Sequence, residues 1–152
     1  MARVRIFERA GAWARRLAPC LLPSLVLGAS ACGGGPPEDP DFQRHLAKPM
    51  PADKVYTDSV TYSGEDLSDW KVVHIDKPGL LAIKVVFDEL AGTCEVYLRD
   101  KYGAHVAREV QSNNPYIELV RRVEPGRFFI WVNAPDEGCE SQYSLEARLD
   151  PD

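Results

Sequence analysis

Pro125-Gly126-Arg127-Phe128-Phe129-Ile130-Trp131-Val132-Asn133 is the stretch whose reading decides the fold. Pro-Gly marks a turn, and the residues after it are aromatic and β-branched, the types that suit a pleated surface. Successive side chains on a strand point to opposite faces. Phe128, Ile130 and Val132 therefore share one side, and Phe129 and Trp131 fall on the other. A helix would scatter these residues around its circumference, whereas a half-buried strand sorts them.

The same period of two recurs outward from this segment. Leu81, Ile83, Val85 and Phe87 form one face with Lys84 opposite, and Cys94, Val96 and Leu98 alternate with Glu95, Tyr97 and Arg99. Tyr143, Leu145 and Ala147 alternate with Ser144, Glu146 and Arg148. Turn chemistry separates the runs at Ser63-Gly64, Lys77-Pro78-Gly79, Ala91-Gly92, Lys101-Tyr102-Gly103, Asn113-Asn114-Pro115 and Asp136-Glu137-Gly138. Eight strands are expected, at 55–61, 69–76, 80–87, 94–100, 104–110, 116–123, 127–133 and 142–149. Many short strands at regular spacing imply an all-β class, a single antiparallel β-sandwich spanning 55–152.

The N-terminus reads as an address. Arg3, Arg5, Arg9, Arg15 and Arg16 precede an apolar run from Leu17 to Ala29, then Ala29-Ser30-Ala31-Cys32-Gly33-Gly34-Gly35. The run is shorter than the ~20 apolar residues of a membrane span and is interrupted by Pro19 and Pro23. A secretory signal at 1–31 fits it. The segment resembles a bacterial lipobox, with Ala29 where Leu is usual, so lipidation at Cys32 is expected. Ala29-x-Ala31 suits ordinary signal cleavage, the alternative to lipidation. An acylated Cys32 would anchor the chain firmly, since each buried methylene contributes about 0.8 kcal/mol. The expected location is the outer membrane, on its periplasmic face or at the cell surface.

Cysteine parity agrees with export. With Cys20 in the signal and Cys32 acylated, Cys94 and Cys139 remain, and in an oxidising compartment they are expected to pair. Two unrelated buried thiols are the alternative. Residues 1–31 hold five of the 18 basic and one of the 23 acidic residues, so 13 basic and 22 acidic remain, a net charge of −9. Nucleic acid is not expected as a partner on this balance. Residues 32–54, with Gly33-Gly34-Gly35 and Pro36, Pro37, Pro40, Pro49 and Pro51, read as a flexible tether because so few large apolar groups cannot offset ordering entropy.

The order of short motifs carries a family resemblance. Asp69-Trp70, Val73-x-Ile75-x-x-Pro78-Gly79, Glu95-Val96-Tyr97-Leu98-Arg99-Asp100-x-x-Gly103, the Pro125 to Val132 stretch and Tyr143-Ser144-Leu145-Glu146 together resemble the bacterial pre-peptidase C-terminal domain. The resemblance covers about 55–149 and implies a jelly-roll-like β-sandwich with an accessory, adhesive or export-assisting role rather than catalysis. Lys71 stands where an aromatic often follows the Asp-aromatic pair, and Thr93 and Glu95 where the family often has Asp.

Chemical motifs are sparse. His45, His74 and His105 have no metal-ligand spacing with Cys or each other, and nucleophile-elbow, zinc-protease and phosphate-loop motifs do not occur. No catalytic residues and no cofactor are expected. The acidic turn offers Glu65, Asp66 and Asp69 as oxygen ligands for calcium, set against a plain solvated turn. Tyr97, Phe129 and Trp131 are expected on an outer face as a partner-binding patch, since aromatic residues anchor interfaces. Cover by the tether or an edge loop is the alternative. The functional expectation is a non-catalytic envelope lipoprotein that binds or scaffolds an envelope protein or a polysaccharide. The competing reading is a secreted hydrolase-associated domain or inhibitor.

Overall fold

The computed structural model describes residues 39–89, 92–112 and 114–152. The expected signal segment 1–31, Cys32 and residues 33–38 of the expected tether lie outside the described residues. Within them the chain is all-β. A short 3-10 turn at Arg44–Leu46 precedes β1 (Lys48–Pro49), β2 (Val55–Thr61), β3 (Ser68–Ile75), β4 (Gly79–Phe87) and β5 (Glu95–Arg99). There follow β6 (His105–Val110), β7 (Tyr116–Val123), β8 (Gly126–Asn133) and β9 (Glu140–Pro151). Two sheets result, ordered β1-β3-β8-β5-β6 and β2-β9-β4-β7. Every pairing is antiparallel except that of β1 with β3.

The eight strands expected from alternation all form. β4 shows why. It is hydrogen-bonded on both sides, to β7 and β9. Leu81, Ile83, Val85 and Phe87 are buried between the sheets, while Leu80 and Lys84 point to solvent. Each such burial contributes roughly 1.5–3 kcal/mol. Val96 and Leu98 from β5, Ile130 and Val132 from β8, and Leu145 and Ala147 from β9 complete the core. Gly79 begins β4 under the end of β9, where a Cβ would strike the backbone of Asp150 and Pro151. The Cys94–Cys139 disulfide forms, tying the chain just before β5 to the segment just before β9.

The stretch 39–54, read from composition as part of a flexible tether, is instead laid along the sandwich. Asp41 and Met50 are buried, and β1 extends the five-stranded sheet beside β3. The Trp70 N–H donates to the Asp41 carbonyl at 3.0 Å, Met50 N–H to Val72 at 2.8 Å and Asp53 N–H to Ala147 at 2.8 Å. Polar attachment holds this segment, so its poverty in apolar residues did not leave it free.

Candidate functional site

The outer face of the five-stranded sheet is organised by register. Trp70 on β3 opposes Trp131 on β8, and Trp131 opposes Tyr97 on β5. Tyr97 in turn opposes Arg108 on β6. One row of side chains thus crosses four strands. Trp70 and Trp131 stack with ring centroids 5.0 Å apart and planes 6° apart. Trp131 and Tyr97 stack at 4.5 Å and 22°. Offset stacking of this kind contributes about 0.5–1.5 kcal/mol per pair beyond area burial. Trp131 therefore has a ring against each of its faces and presents its edge outward.

Polar groups lock the row. The Trp131 Nε1–H donates to Ser68 Oγ at 2.7 Å, and the Tyr97 hydroxyl donates to Glu95 at 2.5 Å. Arg108 pairs with the same carboxylate. Burial alone would raise the Glu95 carboxyl, but the bonds from Tyr97 and Arg108 outweigh it and hold the group below its ordinary value. The Tyr97 phenol is pushed up, by burial first and by Glu95 next.

The neighbouring row carries Val72, Phe129 and Arg99, again opposed in register. The Arg99 guanidinium lies 5.2 Å from the Trp131 ring centre and 5.3 Å from that of Tyr97. Arg44, in the 3-10 turn, lies 5.6 Å over the Phe129 ring. The three residues expected as a patch thus have different surroundings. Tyr97 and Trp131 come together on a half-buried surface. Phe129 is 9% exposed and covered by the N-terminal segment, which corrects its place in an open patch. Sequence reading also missed Trp70 and the arginines, because register across β3, β8 and β5 was needed to align them.

A second polar centre lies beneath the N-terminal segment. Lys71 is fully buried and inward-facing. Its ammonium pairs with Asp41, with Asp58 at 2.5 Å and with Asp69 at 3.6 Å. Lys48 adds a bond to Asp41 at 2.7 Å, and the Tyr143 hydroxyl donates to Asp69 at 2.6 Å. Burial would lower the Lys71 ammonium, but hydrogen bonds to Asp41 and Asp58 outweigh it and raise it. Burial pushes Asp69 up to about 7, against the opposing bond from Tyr143 and the charge of Lys71. Burial, with Asp39 and Asp58 nearby, pushes Asp66 up to about 6.

Of the calcium candidates, only Asp69 belongs to the group of carboxylates close enough to share one ion. Asp39, Asp41 and Asp69 offer atoms within 4.8 Å of one another. Glu65 sits exposed at φ 62° in the turn before β3. Two ammonium groups already neutralise Asp41, which is what a cation would otherwise do there. The three histidines are exposed, and His74 Nε2 lies 3.1 Å from Asp76.

The sequence matches no protein-family model and no curated protein sequence. Among solved structures, the chain is similar to the pre-peptidase C-terminal domain of a collagenase from Bacillus anthracis. The TM-score is 0.59 at 19% identity, covering 67% of this chain and 94% of that one. Looser likenesses are to a mitogen derived from Yersinia pseudotuberculosis (TM-score 0.48, 14% identity, 65% and 86% covered) and to a carbohydrate-binding module of Cellvibrio mixtus lichenase 5A in complex with cellotriose. The last gives a TM-score of 0.39 at 13% identity, with 64% and 88% covered. The collagenase domain agrees with the fold expected from the motifs; the other two bear on neither ligand nor mechanism.

Proposed function

We propose that this chain is a non-catalytic binding module of a bacterial envelope, anchored through an acylated Cys32, and that it meets its partner on the outer face of the five-stranded sheet. The observation that supports this reading most is the row Trp70–Trp131–Tyr97–Arg108. It keeps three large aromatic rings half-exposed on an outer sheet face, and aromatic and arginine residues concentrate binding energy at interfaces. The signal-like N-terminal sequence, the lipobox-like segment and the disulfide support an envelope location.

Ring geometry refines the mode of contact. Trp131 has no free ring face, so a ligand meets ring edges, the flanking guanidiniums and Glu95 rather than stacking flat on that indole. The test is crosslinked affinity capture from envelopes with the wild type and with Trp131→Ser, the fold being checked by circular dichroism. An envelope component retained by the wild type and lost by the variant supports the reading. Equal capture by two equally folded proteins contradicts it.

A further inference from the structure

We infer that Arg44 and Arg99 form an anion subsite on this face and that its ligand is a carboxylated polysaccharide; the inference rests on the binding reading above and names the chemistry of its ligand. The two guanidiniums converge on Gly103, in the turn between β5 and β6. Arg99 Nη1 donates to the Gly103 carbonyl at 3.0 Å. Arg44 Nη1 occupies the space that a Cβ on Gly103 would fill. Gly103 has φ +87°, which glycine adopts at little cost. Asp100 makes this turn: its Oδ1 accepts from the N–H of Tyr102 at 2.9 Å and of Ala104 at 2.8 Å.

Two like charges are thereby held at one point on an aromatic floor of Phe129, Trp131 and Tyr97. Neither arginine makes an ion pair among the described residues, whereas Arg108, Arg122 and Arg148 each do. In the free chain, water and salt screen the pair. An oxyanion between them gains charge-assisted bonds from both forks, the geometry in which arginine suits a carboxylate. Arg127, exposed on the same face, extends the positive surface in a chain whose net charge without residues 1–31 is −9.

Position selects the class of ligand. An extended peptide gains affinity from a sheet chiefly by pairing with a free edge. Phe129, Trp131, Tyr97 and Arg99 stand on β8 and β5, which have strands on both sides, so no main-chain edge is offered there. Recognition rests on side chains alone: guanidiniums for carboxylates, and Glu95, Ser68 and Asn133 interspersed with ring edges for hydroxyls, which both donate and accept.

The test is titration of the full chain in detergent with oligogalacturonate, using the methyl-esterified oligomer as the uncharged counterpart and polyglutamate as an acidic peptide. The acid form binds the wild type more tightly than the ester. The double variant Arg44→Gln/Arg99→Gln loses about tenfold or more of that affinity, as expected when two charge-assisted bonds go, and the salt dependence weakens. Arg121→Gln, on the other sheet, leaves binding unchanged. Equal affinity for acid and ester, an unaffected double variant, polyglutamate bound as tightly, or no binding of the acid would each overturn the inference. If Trp131→Ser loses its envelope component while the double variant keeps it, the binding face stands and the anion subsite falls.

Discussion

Trp70 and Trp131 are direct cross-strand partners whose rings lie nearly parallel, 5.0 Å apart. This pairing closes one face of the Trp131 indole and Tyr97 closes the other, so Trp131 offers its edge. Without residues 1–31 these are the chain's only tryptophans. The stacked pair should therefore give an exciton couplet in the far-ultraviolet circular dichroism spectrum. Trp70→Phe should abolish the couplet and cost about 1 kcal/mol of stability. A couplet that survives the substitution would mean the rings are not coupled as described.

Lys71 neutralises carboxylates drawn from three parts of the chain: Asp41, Asp58 and Asp69. Lys71→Met leaves these acids without their buried cation and should destabilise the fold by about 3–5 kcal/mol in urea denaturation. Asp41→Asn should cost less, because Asp58 and Asp69 still hold the ammonium, and should increase proteolysis between residues 39 and 54. Unchanged protection of that stretch would show that Asp41 is not what fastens it.

Asp66 and Asp69 bind their protons more tightly in the folded chain than an ordinary carboxyl does, with values of about 6 and about 7. Burial is the main cause of both. Where the folded state holds more protons than the unfolded one, stability falls as pH rises. Their contribution is full below about pH 4 and is lost as pH passes through 6 to 7. The urea midpoint should drop across that window. Asp69→Asn, which keeps an acceptor for Tyr143, should flatten the drop. A midpoint that climbs through the window in the wild type would contradict the assignment.

The disulfide closes a loop between positions 45 apart. Loop-closure entropy gives it up to about 4 kcal/mol. The double variant Cys94→Ala/Cys139→Ala should melt well below the wild type, and reductant should lower the melting temperature of the wild type alone. Equal melting of the two proteins would leave the bridge without a stabilising role.

The strands were legible because their signal is local. Alternation over 80–87 or 127–133 needs only one segment at a time, and the turn residues between runs are explicit. The N-terminal attachment was not legible in composition, because Asp41 reaches Lys71 across 30 positions and contributes charge rather than apolar area. A signal did exist: Asp69 and Lys71 share the inward face of β3 with Val73 and Ile75, and buried charges require partners. The aromatic row was half legible. Tyr97 and Trp131 faced outward as expected, but their stacking, the addition of Trp70 and the cover over Phe129 depend on which residues oppose one another between strands.

Photocrosslinking in the cell tests the central claim most directly. A benzophenone side chain at His105, at the rim of the outer face beside Tyr97, is compared with one at Arg121 on the opposite sheet. An envelope adduct from position 105 and none from position 121 is the predicted result. Adducts from position 121 alone, or from both positions equally, would contradict it.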